Sequence, residues 1–99
     1  MDVGLNGKKV VVTGAARGIG REICIGFAGN GAEVIGVDIL DLEETGAAVA
    51  AIGGSWHAYS IDIGNPGSVA EGCARVLAEH PKIDALVNNA ALYGGLRMQ

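Results

Sequence analysis

Nothing in this sequence offers a surface for a polyanion or a path through a membrane. Lys and Arg number 7 against 11 Asp and Glu, for a formal charge of −4, and no run of basic residues appears. The electrostatic footprint that phosphate backbones or anionic lipid require is therefore missing. The segment Met1 to Lys9 has no apolar signal core, and no later apolar run approaches the about 20 residues of a membrane span. Cysteine is scarce, and Cys24 and Cys73 have neither CxxC spacing nor a neighbouring His or Cys cluster. This predicts no redox centre and two buried thiols in a reducing compartment. His57 and His80 lack ligand spacing and read as a strand-surface side chain and a helix-end cation, so no metal site is expected. A soluble cytoplasmic protein, with neither nucleic acid nor membrane as partner, is the simplest account.

What is present is apolar and punctuated. Hydrophobic residues make up 49% of the 99 residues, enough for one small domain with a core. The 17 glycines are scattered rather than tandem, so they mark turns and close contacts, not a repeat. Val10-Val11-Val12 is a β-branched run bounded by glycines, as in a strand covered on both faces. From Gly18 the period becomes helical, with Ile19, Ile23 and Phe27 on one face and a stop at Gly29-Asn30-Gly31. A second strand runs from Glu33 to Asp38. Asp41 then caps a helix with Glu43 and Glu44 in its first turn and an inner stripe of Leu42, Thr45, Val49 and Ile52.

Ser55 to Ser60, rich in strand-forming aromatics, reads as a third strand, with Trp56 and Tyr59 as packing residues. Asn65-Pro66 opens a third helix, with Val69, Cys73, Val76 and Leu77 on one face and Pro81 as its stop. Ile83 to Asn88 reads as a fourth strand. The order β-α-β-α-β-α-β implies parallel strands in a three-layer α/β architecture, a doubly wound sheet of Rossmann type or half of one. With three helices and strand order 3-2-1-4, the direction change falls between the first and fourth strands, where ligands of such sheets bind.

The turn after the first strand is Thr13-Gly14-Ala15-Ala16-Arg17-Gly18-Ile19-Gly20. In such a TGxxxGxG turn Gly14 permits a tight bend, Gly18 lets a pyrophosphate approach the backbone, and Gly20 lets helix and strand pack closely. The free N–H groups and dipole of the following helix then face the phosphates. A glycine-rich turn that merely packs tightly is the bland alternative, but strand, turn, helix and a distal acid stand here in the demanded order. That acid is Asp38, eighteen residues beyond Gly20. A carboxylate there accepts from ribose hydroxyls and repels a 2′-phosphate, which favours NAD over NADP. Asp38 could instead cap the next helix. Arg17 pulls the other way: it could pair with a 2′-phosphate or simply be an exposed arginine at a helix start. Ile39, where a second cation would serve NADP, is apolar.

With TGAARGIG, Asp38, Asp62-Ile63 after the third strand and Asn88-Asn89-Ala90 after the fourth, the chain resembles the short-chain dehydrogenase/reductase family along its whole length. The resemblance implies a cofactor site built by Gly14, Ala15, Ala16, Arg17, Gly18, Ile19, Gly20 and Asp38. It places Asp62 and Ile63 beside the adenine, and Asn88 and Ala90 along the cofactor cleft. Where the family usually carries glycine after the Asn-Asn-Ala triplet, this chain has Ala91. In isolation Asp62 reads as a cap and Asn88-Asn89 as a turn.

The resemblance implies hydride transfer between a nicotinamide and an alcohol or carbonyl substrate, and a homo-oligomer for the complete enzyme. The family's serine, tyrosine and lysine would lie beyond residue 99, so no catalytic residue is assigned. Tyr93 and Arg97 imitate the tyrosine-lysine spacing, but Gly94 and Gly95 disfavour the helical turn that would bring them together. The expectation is a cofactor-binding segment, residues 1–99, of an NAD(P)-dependent oxidoreductase, with a complete but silent nucleotide-binding module as the alternative. A flavin or methyl-donor domain would instead carry a GxGxxG turn. Half a doubly wound sheet leaves apolar strand surface uncovered and predicts marginal stability for the chain alone.

Overall fold

The computed structural model describes residues 4–89, so Ala90 and the stretch from Tyr93 to Arg97 lie outside the described residues. The elements follow in the order β1 Lys9–Thr13, α1 Gly18–Gly29, β2 Glu33–Asp38, α2 Glu43–Ala51, β3 Ser55–Ser60, α3 Pro66–Glu79 and β4 Ala85–Asn88. All four strands are parallel, in the order β3-β2-β1-β4. This is the expected Rossmann-type arrangement. β4 begins two residues later than the sequence pattern suggests, because Asp84 is spent on a clasp. Its N–H donates to the Lys9 carbonyl at 2.9 Å, and its carboxylate accepts from the Lys9 N–H at 2.8 Å. That backbone hydrogen bond holds the Asp84 carboxyl below the usual carboxylate range.

Alternation along the strands sends successive side chains to opposite faces and creates two cores. Val10, Val12 and Val34 meet Cys24 and Ala28 of α1 and Val49 of α2 on one face. On the other, Ile35, Val37, Tyr59 and Ile61 meet Val76 of α3. Each fully buried valine or isoleucine contributes roughly 1.5–3 kcal/mol.

The helices bury different residues from those their periodicity suggested. In α1 the buried column is Gly20, Cys24 and Ala28, while Ile19 stays 61% exposed and Ile23 and Phe27 pack only partly. The start of α1 passes so close to the preceding turn that only small side chains fit beneath it. In α2, Leu42, Thr45 and Val49 are buried as expected, but Ile52 falls at the C-cap and is exposed. Asp41 lies one position before the N-cap, Leu42, and turns the chain by accepting from the Glu43 N–H at 2.9 Å. Asn65 caps α3 by accepting from the Ser68 N–H, with Pro66 at the first helical position. Trp56 packs against Gly36 and Gly46, whose missing side chains make room for the indole.

Two further expectations fail. Cys73 is exposed, because the outer part of the α3 stripe borders an apolar groove, lined also by Val11, Ile83 and Leu86, that no described residue fills. His80 is no helix-end cation: it is buried as the C-cap of α3, and burial, with His57 and the Lys9 ammonium close by, lowers its pKa. Cys24 does match its expectation, with burial pushing its thiol up to about 12. Alkylation of the folded 99-residue chain is therefore expected to label Cys73 and spare Cys24 until denaturant is added. Mass mapping that finds Cys24 modified under native conditions would contradict this core.

Candidate cofactor-binding site

At the C-terminal ends of β1 and β4, Thr13 and Asn88 face each other in the ladder. Thr13 Oγ1 lies 3.0 Å from Asn88 Oδ1 and donates across this switch point. From Thr13 the chain enters a turn in which Gly14 and Gly18 take φ of 66° and 61°, left-handed values that favour glycine. At Gly20 the constraint is space. A Cβ there would stand 1.8 Å from the Gly14 carbonyl oxygen and 2.8 Å from Asn89 Nδ2.

The turn is held from three directions. From β2, Asp38 Oδ2 accepts from the Ala16 N–H at 2.9 Å, and the Val37 carbonyl accepts from the Ala15 N–H at 3.2 Å. From the end of β4, Asn89, which is 1% exposed, donates its amide to the Gly14 carbonyl at 3.2 Å. From α2, the fully buried Thr45 hydroxyl is placed to donate to the carbonyls of Ala15, at 2.8 Å, and Ala16, at 3.1 Å. Arg21 adds a donor to the Ala16 carbonyl at 2.7 Å and another to Thr45 Oγ1 at 3.2 Å. Its ion pair with Glu44 joins a carboxylate that is 81% exposed, and such pairs are worth about 0–1 kcal/mol. The buried hydroxyl matters more, since stranding its partners would cost about 1–3 kcal/mol.

With the Ala15 and Ala16 N–H groups committed inward, these two residues shape the turn rather than face a ligand. Among the described residues, no side chain caps the N-terminus of α1, whose N-cap is Arg17 in extended conformation. The first N–H groups of a helix lack intrahelical partners, so those from Gly18 to Gly20 remain for an anion at the positive end of the dipole. Arg17, Gly18 and Ile19 are exposed around it.

Asp38 does not cap α2. Besides the Ala16 N–H it takes the Leu40 N–H at 3.0 Å, and a carboxylate with about four acceptor sites keeps capacity for hydroxyl donors. Ile39 beside it is 62% exposed. Asp62 closes its own turn by accepting from the Gly64 N–H, while Ser68 Oγ accepts from the Asp62 N–H. Ile63 is exposed. Thr13, Arg21, Thr45 and Asn89 were not assigned from the sequence. Thr45 carried a signal, as a hydroxyl on an otherwise apolar stripe that must find a partner when buried. Asn89 sat inside a motif already singled out. Arg21 carried none.

The model for short chain dehydrogenases matches residues 8–99. The chain belongs to that family. It is 43% identical over 97 residues to the 3-oxoacyl-[acyl-carrier-protein] reductase FabG of Chlamydia pneumoniae, a match that covers 93% of this chain and 38% of that protein. Among solved structures, the citronellol catabolism dehydrogenase of Pseudomonas aeruginosa PAO1 superposes with a TM-score of 0.84 at 33% identity, over 89% of this chain and 38% of that one. A 3-oxoacyl (acyl-carrier-protein) reductase from Agrobacterium tumefaciens C58, solved with NADP bound, gives 0.79 at 34% identity, over 87% and 34%. The chain spans from 14% to 38% of the length of the first curated relatives it matches. No described helix is long and apolar enough to cross a membrane.

Two substitutions test the architecture of the turn. Gly20→Ala is expected to destabilise the fold by about 3 kcal/mol, because neither backbone nor Asn89 can yield enough room. Thr45→Val, which keeps shape and removes the hydroxyl, is expected to cost about 1–3 kcal/mol, with Thr45→Ser recovering most of it. Urea denaturation measures both, and a Thr45→Val chain as stable as the parent would remove the hydroxyl from this account.

Proposed function

We infer that this chain is the cofactor-binding part of an NAD-dependent oxidoreductase that transfers a hydride between the nicotinamide and an alcohol or carbonyl carbon of a small molecule. The observation that carries the reading is the uncapped start of α1 at the sheet's switch point, with the carboxylate of Asp38 beside the same turn. The N–H groups of Gly18, Ile19 and Gly20 would hold the pyrophosphate, and the remaining acceptor sites of Asp38 would take the adenosine ribose hydroxyls. Asp62 and Ile63 would border the adenine, and Asn88, with Ala90 following, would form the wall of the cleft on the β4 side. Ala15 and Ala16 contribute by fixing the shape of the turn. The nicotinamide of the bound cofactor would supply the hydride acceptor when oxidised and the hydride donor when reduced. These residues bind and orient it, and none of them is assigned a proton transfer. The Chlamydia and Pseudomonas relatives, a reductase and a dehydrogenase by name, favour this reaction class.

NADP is the second reading, favoured by the NADP bound in the Agrobacterium relative and by the exposed Arg17 at the start of α1. Fluorescence titration with NADH and NADPH separates the two. NADH is expected to bind more tightly, and Asp38→Asn to lower NADH affinity roughly 10- to 100-fold while leaving NADPH less affected. Because Asp38 also braces the turn, the ratio of the two affinities is the decisive quantity: a purely structural defect lowers both alike. Tighter NADPH binding by the parent chain would overturn the choice of NAD, and binding of neither would overturn the reading as a whole.

A further inference from the structure

The end of the sheet away from the phosphate turn gathers a different chemistry. Ile35 of β2 pairs with His57 of β3, so Glu33, two residues before Ile35, and His57 are diagonal neighbours on the face that α3 covers. His80, at the C-cap of α3, closes over them. His57 Nε2 lies 2.6 Å from Glu33 Oε1, and the two imidazole rings meet edge to face at 4.4 Å. One donor atom from each of Glu33, His57 and His80 falls within 4.8 Å of the others. The sequence hid this group because its members come from three elements with no regular spacing.

A cation already marks the place. Lys9 Nζ lies 2.9 Å from His80 Nδ1 and 3.8 Å from Glu33 Oε1. An ammonium can only donate, so His80 Nδ1 accepts, and its lone pair points toward positive charge. A lysine-glutamate pair closing the bottom of the core would need neither imidazole. Two imidazoles and one carboxylate form a donor set suited to zinc, whereas magnesium and calcium prefer oxygen alone.

We propose that Glu33, His57 and His80 form a binding site for a divalent transition metal, with Zn²⁺ the best match, for which the Lys9 ammonium competes. Tetrahedral zinc sets its donors about 3.4 Å apart, so His57 Nε2 and Glu33 Oε1, 2.6 Å from each other, must separate slightly as the group adjusts around the buried His80. The half-exposed side chains of Glu33 and His57 have the freedom to do so by rotating, and Lys9 to swing outward. The ion would tie β2, β3 and α3 together at the far end of the strands from the phosphate turn, a fastening role and not a catalytic one.

The test is titration of the untagged chain with Zn²⁺ against a chelating indicator, in a Cys73→Ser background so that the exposed thiol takes no part. One equivalent is expected to bind, to raise the melting temperature, and to give with Co²⁺ the strong visible bands of four-coordinate geometry. His57→Ala, at a half-exposed position, is expected to weaken zinc about a hundredfold, and Lys9→Met to tighten it about tenfold. A parent chain that takes up no stoichiometric zinc, or an affinity unchanged in His57→Ala, would overturn the site. An affinity unchanged in Lys9→Met would overturn the competition.

Discussion

The first turn of α1 lies against the turn that precedes it, so that even one methyl group at Gly20 would overlap the Gly14 carbonyl oxygen. That closeness forces the rest of the site. The column of α1 that faces the sheet must be small, which explains Gly20, Cys24 and Ala28 in place of the larger residues one position before each. The carbonyls of the turn, crowded inward, must find donors there, and Thr45, Arg21 and Asn89 supply them from α2, α1 and the end of β4. Donors inside and N–H groups outside are two aspects of one conformation. A turn fixed in this way would present the N–H groups proposed for the pyrophosphate with little ordering left to do, and such preorganisation favours binding.

The sheet separates two chemistries by length alone. At the C-terminal ends of the strands lie the uncapped start of α1 and the carboxylate of Asp38. At the N-terminal ends, Lys9, Glu33, His57 and His80 pack side chain against side chain. Between them lie the two apolar cores, which give both ends a common rigid support. The α3 side is less closed, since Leu77 and Leu86 remain more than half exposed along the groove that Cys73 borders.

Much of this was legible in the order of residues. The β-branched run at Val10 to Val12 and the Asn65-Pro66 helix start are local signals, each set by backbone sterics or hydrogen bonding within a few residues, and the spacing from the glycine turn to Asp38 follows from the length of the helix and strand between them. Together they determined the alternation of strands and helices, the parallel sheet and the place of the phosphate turn. Which helix face turns inward was not legible, because hydrophobicity ranks Ile19 above Gly20 while only the distance between two backbones decides which of them fits. Nor was the environment of a single side chain: Cys73 and His80 exchanged their expected exposures because burial depends on what lies opposite in space.

The sequence by itself therefore determined the fold class and the glycine turn, since both follow from periodicity and from conformations open to glycine alone. The tertiary structure decided the partners of Asp38, the hidden support by Thr45 and Asn89, and the meeting of Glu33, His57 and His80. Those contacts join residues on separate elements, and chain order does not encode the distance between them until the strands have paired.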